Sequence, residues 1–362
     1  MRCAVASKSA LILAGGTGGH IFPGLAVAEA LRSRGWSVSW LGTVAGLEAQ
    51  LVPKAKIELH TMDVKGIRGK GLAGYLYAPL NILRAVWQAT RLVKKIKPTL
   101  VIGFGGFVAG PGGVAAKLLG LPLIIHEQNA VAGTTNRLLA KIATHVCTAF
   151  PKVLRGAQVI GNPVRPVISA LADPAARFAK RDTVYRVLVL GGSRGAKAIN
   201  ELLPEALAQL DPALRYQVRH QCGKGHAEAT VALYKRYGIH VELSEFIDDM
   251  AAAYSWADMV VCRAGALTVS ELAAAGLPAL LVPFPYAIDD HQTVNAMFLV
   301  NAHAAVVIQQ QELTAQRLAD ELTTTFFKRE HLLVMAQNAR ACAATQTLDQ
   351  LSALCEATVH GQ

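Results

Sequence analysis

Leu11-Ile12-Leu13-Ala14-Gly15-Gly16-Thr17-Gly18-Gly19 reads as a buried β-strand that breaks into a glycine turn ahead of a helix. Val187-Leu188-Val189-Leu190-Gly191-Gly192-Ser193-Arg194-Gly195 repeats that pattern at an offset of 176 residues (Leu11 to Val187). An apolar strand running through glycine into a helix N-terminus is the opening unit of a doubly wound α/β fold. Two such openings predict two tandem Rossmann-like domains facing across a cleft, with the C-terminal ends of both sheets lining it. Strands are expected at 10–14, 37–42, 100–103, 123–126 and 145–148, and again at 186–190, 216–222, 241–244, 259–262 and 279–282. Near-continuous apolar strands separated by helices indicate parallel sheets covered on both faces. Gly161-Asn162-Pro163-Val164-Arg165-Pro166 reads as the hinge. It sets the expected domains at 1–165 and 166–342.

The length of 362 residues exceeds one ordinary core and suits two. With 52% hydrophobic and 17% charged residues, disorder is excluded. The formal net charge of +11 favours anionic partners. Much of it lies between Lys54 and Lys97, where ten Lys/Arg face only Glu58 and Asp63. Leu72, Tyr75, Leu76, Leu80, Leu83, Val86 and Trp87 stand among those charges at helical steps. The charges alone fit a solvated helix face; their apolar company fits a surface lying on an anionic leaflet. Few aromatics accompany them, which argues against single-strand nucleic acid, a ligand that needs stacking platforms. No run approaches the roughly 18 consecutive apolar residues of a membrane span. Arg2 and Lys8 before Ala10–Ala14 imitate a signal peptide, but the run is short and ends in Gly15-Gly16. The expected location is therefore the cytosol or its membrane face. Six scattered cysteines without a C-x-x-C pair read as reduced thiols.

The loops narrow the chemistry. G-x-G-x-x-G fails where Ile21 takes the third glycine place, and G-x-x-x-x-G-K-[ST] is absent. A dinucleotide oxidoreductase and a P-loop ATPase are both disfavoured. What remains is the capacity of a helix N-terminus to hold phosphate. Cys262-Arg263-Ala264-Gly265-Ala266-Leu267-Thr268-Val269-Ser270-Glu271 opens another helix after a buried strand. Two readings fit it: a diphosphate site with Glu271 bridging ribose hydroxyls, or an N-capping segment with a favourable acid in its first turn. Without a D-x-D pair, leaving-group charge falls to helix N-termini and cations, so neither a metal nor another cofactor is expected. His20 stands at a helix start, where the dipole lowers imidazole basicity; it is either a proton acceptor or a cap of its loop. Asn129 follows another strand end on the same side, beside His126 and Glu127, which read as loop ties.

In order, Gly15–His20 with Pro23-Gly24, Gly103-Phe104-Gly105-Gly106-Phe107, His126-Glu127-Gln128-Asn129 and Gly161–Arg165 are joined by a second set of motifs. These are Gly191-Gly192-Ser193, Phe246-Ile247-Asp248-Asp249-Met250, Arg263–Glu271 and Asp290-His291-Gln292-Thr293-Val294-Asn295-Ala296. Along nearly its whole length the chain thus resembles the peptidoglycan N-acetylglucosaminyltransferases. The resemblance implies a GT-B fold, a hexosyltransferase, and inverting transfer of N-acetylglucosamine from UDP-GlcNAc to the 4-hydroxyl of the muramoyl sugar of lipid I. The products would be lipid II and UDP, made at the inner leaflet of the cytoplasmic membrane beside other cell-wall synthesis and division proteins. By position, Ile247 would meet uracil through its backbone, Glu271 the ribose, and Ser193 with Ala266, Leu267, Thr268, Val269 and Ser270 the diphosphate. Gln292 would recognise the sugar and Arg165 the nucleotide sugar. Thr17, Gly18, Gly19 and Asn129 would approach the reacting centre, with His20 as general base. A last helix, about 343–362, would pack back onto the first domain. Three residues depart from the pattern: Arg194 for glutamine, Phe107 for tyrosine and Ala264 for serine. Phe107 lacks a phenolic hydroxyl and receives no polar role, while Arg194 either joins the diphosphate or points to solvent. The nearest rival is a GT-B enzyme acting on another lipid such as diacylglycerol.

Overall fold

The computed structural model describes residues 8–63, 78–192 and 195–360. The chain divides into two compact units, one of Met1–Pro163 with Gln346–Gln362 and one of Val164–Thr345.

Unit 1 runs β1 (Ser9–Ala14), α1 (Gly18–Ser33), β2 (Ser37–Thr43), α2 (Glu48–Lys54), β3 (Glu58–Met62), α3 (Ala78–Ile96), β4 (Leu100–Gly105) and α4 (Ala109–Leu118). It continues with β5 (Leu123–Glu127), α5 (Thr134–Leu139), β6 (His145–Thr148) and β7 (Gln158–Val159). The strands are parallel, in the order β3-β2-β1-β4-β5-β6-β7. Period-two alternation divides β1 between two cores. Ala10, Ile12 and Ala14 join Val27 and Leu31 of α1; Leu11 and Leu13 join Ala85, Ala89 and Val93 of α3.

Unit 2 begins with α6 (Pro166–Ser169), α7 (Pro174–Phe178), β8 (Tyr185–Leu190), α8 (Lys197–Ala208), β9 (Tyr216–Gln221), α9 (Ala227–Arg236) and β10 (Glu242–Ser244). Next come α10 (Met250–Trp256), β11 (Met259–Cys262), α11 (Ala266–Ala275), β12 (Ala279–Leu281), α12 (His291–Val300), β13 (Ala305–Val307), α13 (Ala315–Glu321) and α14 (Arg329–Ala341). Its parallel sheet has the order β10-β9-β8-β11-β12-β13. Reading β8 as the counterpart of β1, both units share the doubly wound order 3-2-1-4-5-6. The two glycine openings therefore stand at equivalent switch points, each on a central strand.

The final helix, α15 (Thr347–His360), belongs to unit 1. Leu351 and Cys355 are fully buried in the core shared with α1, and the Thr347 hydroxyl donates to the Ile160 carbonyl at 2.6 Å.

Ten expected strands are present, and β3, β7 and β13 are added. All three are edge strands. An edge strand covers less apolar area and needs no continuous hydrophobic run, so Glu58-Leu59-His60-Thr61-Met62 carries a weak signal. Of the expected basic amphipathic helix, the part from Ala78 onward is α3. Lys65, Arg68, Lys70, Leu72, Tyr75 and Leu76 lie outside the described residues. Among the described residues no helix is long and apolar enough to cross a membrane.

Candidate active site

In unit 2 the end of β11 delivers the chain through Gly265 into α11. Glu271 lies on the inner side of that helix, 6% exposed. Its Oε1 accepts from Arg165 Nη2 at 3.1 Å and its Oε2 from the Tyr254 hydroxyl at 3.0 Å. Burial pushes the Glu271 carboxyl up; Arg165 and Tyr254 offset part of this, and it stays above the usual carboxylate value. Burial, with the carboxylate beside it, also raises Tyr254 well above an ordinary phenol. A carboxylate has about four acceptor positions, so two contacts leave capacity for a vicinal diol.

The first turn of α11 is more selective than its sequence implied. The Val269 side chain is in the core and its amide donates to the Gly265 carbonyl at 2.9 Å, which closes it to a ligand. The Ser270 hydroxyl donates back to the Ala266 carbonyl at 3.0 Å. In an α-helix the first-turn amides precede the intrahelical ladder. Here these are the amides of Ala266, Leu267 and Thr268. Ser193 and Arg194 lie outside the described residues. Asn295, fully buried on α12, donates from Nδ2 to the Ala264 carbonyl at 3.3 Å and ties α12 to the start of α11. Gln292, one helical turn earlier, accepts at Oε1 from the Phe284 amide at 2.9 Å. Ile247 is half-buried between β10 and α10, whose N-cap Asp249 accepts from the Ala252 amide. Arg263 donates to the Val282 and Pro283 carbonyls and to Gln310 Oε1, holding the loop after β12.

Unit 1 brings Thr17, Gly18, Gly19 and His20 into one turn at the start of α1. His20 Nδ1 is 3.3 Å from the Gly15 carbonyl oxygen and 3.3 Å from Thr17 Oγ1. The turn after β4 packs against it. Gly106 has φ +84°, and a Cβ there would sit 2.3 Å from the Gly15 oxygen, so only glycine fits. At the end of β5, the buried Glu127 carboxylate accepts from the Asn129 amide and Nδ2, the Gly133 amide and Asn136 Nδ2, at 2.9–3.2 Å. Asn129 is thereby oriented by its neighbour. His126 donates from Nε2 to the Gly161 carbonyl at 2.8 Å and accepts at Nδ1 from Gln128. Burial lowers its pKa to about 4, so it is neutral. Phe107 is exposed and lines a cavity of about 450 Å³ with Ile82, Val86, Val114 and Leu138.

Sequence reasoning missed Glu48 and Tyr254, and gave no role to Asn295 within its Asp290–Ala296 motif. Tyr254 shares the short α10 helix with a second aromatic residue, Trp256, so its residue type did not single it out. The Glu48 contact to Gly16 and the Asn295 contact to Ala264 span 32 and 31 positions, so no local pattern announced either.

Known proteins match the chain at both ends. The glycosyltransferase family 28 N-terminal domain matches residues 10–148 and the glycosyltransferase family 28 C-terminal domain residues 186–351. A UDP-N-acetylglucosamine–N-acetylmuramyl-(pentapeptide) pyrophosphoryl-undecaprenol N-acetylglucosamine transferase of Cellvibrio japonicus is 55% identical over 98% of this chain and 99% of its own. One of the same name from Aeromonas hydrophila is 50% identical over 98% of each. The crystal structure of Acinetobacter baumannii MurG superposes with a TM-score of 0.84 at 44% identity, covering 96% of this chain and 99% of that one. Both domains in order, with about half of all residues shared over nearly the full length, show that this chain belongs to glycosyltransferase family 28, among the GT-B hexosyltransferases that carry that transferase name.

Proposed function

We propose that the chain transfers N-acetylglucosamine from UDP-GlcNAc to the 4-hydroxyl of the N-acetylmuramoyl unit of lipid I, releasing UDP and lipid II with inversion and without a metal. The observation that carries this reading is the Arg165–Glu271–Tyr254 cluster beside the N-terminus of α11. It joins a buried diol acceptor to a ready-made phosphate site. Unit 2 is the donor domain. Glu271 takes the ribose hydroxyls, the Ala266, Leu267 and Thr268 turn takes the diphosphate with Ser193, and Ile247 meets the uracil through its backbone. The Gln292 carbonyl is engaged by Phe284, so its NH₂ group is the one offered to the sugar. Arg165 offsets the charge that grows on the leaving diphosphate.

Unit 1 takes the acceptor. Thr17, Gly18, Gly19 and Asn129 position the muramoyl hydroxyl. His20 accepts its proton as the oxygen attacks the anomeric carbon and the bond to UDP breaks. Leu80, Leu83 and Trp87 are 54–66% exposed on α3, and Arg91 stacks on Trp87 at 3.8 Å. That apolar strip with cations around it suits the anionic cytoplasmic face of the membrane, where the lipid acceptor and other cell-wall synthesis and division proteins are found. The test is incubation with UDP-GlcNAc and either a lipid I analogue or diacylglycerol, following UDP release and the lipid product. A disaccharide from the lipid I analogue alone is expected. No turnover of it, or turnover of diacylglycerol instead, refutes the reading.

A further inference from the structure

Glu48, the first residue of α2, is fully buried in unit 1. A buried carboxylate persists only when hydrogen bonds replace its lost hydration. Its Oε1 accepts from the Thr43 hydroxyl at 2.7 Å and the Thr43 amide at 2.9 Å. Its Oε2 accepts from the Gly16 amide at 3.0 Å. Burial alone pushes the carboxyl up; these donors more than offset it and leave its pKa below the usual value. The surroundings are shaped to admit it. A Cβ on Gly15 would lie 2.7 Å from the carboxylate, and one on Gly46 2.2 Å.

The Gly16 amide has a further consequence. Gly15 C=O and Gly16 N–H belong to one trans peptide plane, so they point in opposite directions. When the N–H turns inward to Glu48, the carbonyl turns outward, and His20 Nδ1 stands 3.3 Å from it. A carbonyl only accepts, so a bond to it requires the proton on Nδ1; the Thr17 hydroxyl, also 3.3 Å from Nδ1, can donate or accept and so does not oppose that tautomer. The neutral ring then has its acceptor lone pair on Nε2, the nitrogen that faces Gly105 across the turn. The carboxylate also polarises the peptide and strengthens its carbonyl as an acceptor.

We propose that Glu48 is a positioning residue for His20. Through the Gly15–Gly16 peptide it sets which ring nitrogen holds the proton, and so which one can take a proton from the acceptor hydroxyl. This rests on the reading of His20 as general base. A glutamine at 48 has one acceptor oxygen and one NH₂, so it cannot accept from both the Thr43 and the Gly16 amides.

Nitrogen-15 NMR of the full chain tests the link, with the His20 signals assigned by their loss in His20→Ala. Wild type is expected as the Nδ1–H tautomer, and Glu48→Gln as a mixture with Nε2–H. The kcat of Glu48→Gln is expected to fall about 10- to 100-fold, by analogy with the outer hydrogen-bond partners that orient metal-binding histidines. Its KM for UDP-GlcNAc is expected to stay within about twofold, because Glu48 lies in the acceptor unit and outside the donor groups. An Nε2–H tautomer in wild type overturns the proposal with no variant needed, which covers the case of Glu48→Gln failing to fold. A folded Glu48→Gln with the wild-type tautomer overturns it as well. If His20→Ala keeps its kcat, the base assignment fails, while the tautomer spectra still decide whether Glu48 controls the ring.

Discussion

Removal of the Glu271 carboxylate separates donor binding from folding in a measurable way. Glu271→Ala deletes the acceptor of the buried Tyr254 hydroxyl and of Arg165, whose side chain is 35% exposed. The Tyr254 contact, made to a charged group, is worth about 1.5–3 kcal/mol of stability. The Arg165 pair adds less than about 1 kcal/mol, because solvent screens a guanidinium exposed to this degree. Glu271→Gln keeps an acceptor for Tyr254, so its melting temperature should lie between those of wild type and Glu271→Ala. On the proposed reading, both variants lose charge-assisted bonds to the ribose. A loss of about 1.5–3 kcal/mol there raises KM for UDP-GlcNAc roughly 10- to 150-fold. Since a ribose contact serves ground state and transition state alike, kcat should stay within a few-fold. Steady-state UDP release at saturating lipid I analogue, beside thermal melts of the same samples, gives both quantities. A folded Glu271→Ala with an unchanged KM would refute the ribose assignment.

The Leu83→Glu, Trp87→Glu double variant should weaken binding to anionic vesicles by tenfold or more, at about 1.5–3 kcal/mol per apolar side chain removed from lipid. Turnover of a water-soluble acceptor should be unaffected; unchanged vesicle partitioning would remove α3 from the membrane surface. Stability should decline as pH falls. Burial lowers His126 to about 4 and His220 to about 3, whereas the unfolded chain takes up those protons near pH 6.5. The unfolded state therefore binds more protons from about pH 6.5 down to about 4, at a cost of roughly 1 kcal/mol per histidine per pH unit. Melts at pH 7, 5.5 and 4.5 should show the drop, and a flat profile would mean that neither imidazole is held neutral. Activity should persist in excess EDTA if, as proposed, leaving-group charge falls on the α11 N-terminus and Arg165. A strict requirement for Mg²⁺ would contradict that division of labour.

Chemistry written along the chain was legible. The two glycine openings, the near-continuous apolar strands and the Arg263–Glu271 run each express local rules of period and turn, which fold class and candidate site follow. What stayed hidden depended on pairing through space. The edge strands β3, β7 and β13 exist because a neighbour offers them a hydrogen-bonded rail, and little in their own residues demands it. Val269 was grouped with its turn as a phosphate contact, but helix phase turns its side chain into the core and gives its amide to Gly265.

The sequence by itself determined that this chain winds twice around parallel sheets and presents glycine-opened helices at the end of each. Local backbone geometry and apolar periodicity are enough to specify that. Only the tertiary structure decided that Glu48 lies beneath the first turn and that Arg165 and Tyr254 grip Glu271. A buried carboxylate is stable only where folding brings donors from distant segments around it, and no local pattern encodes that meeting.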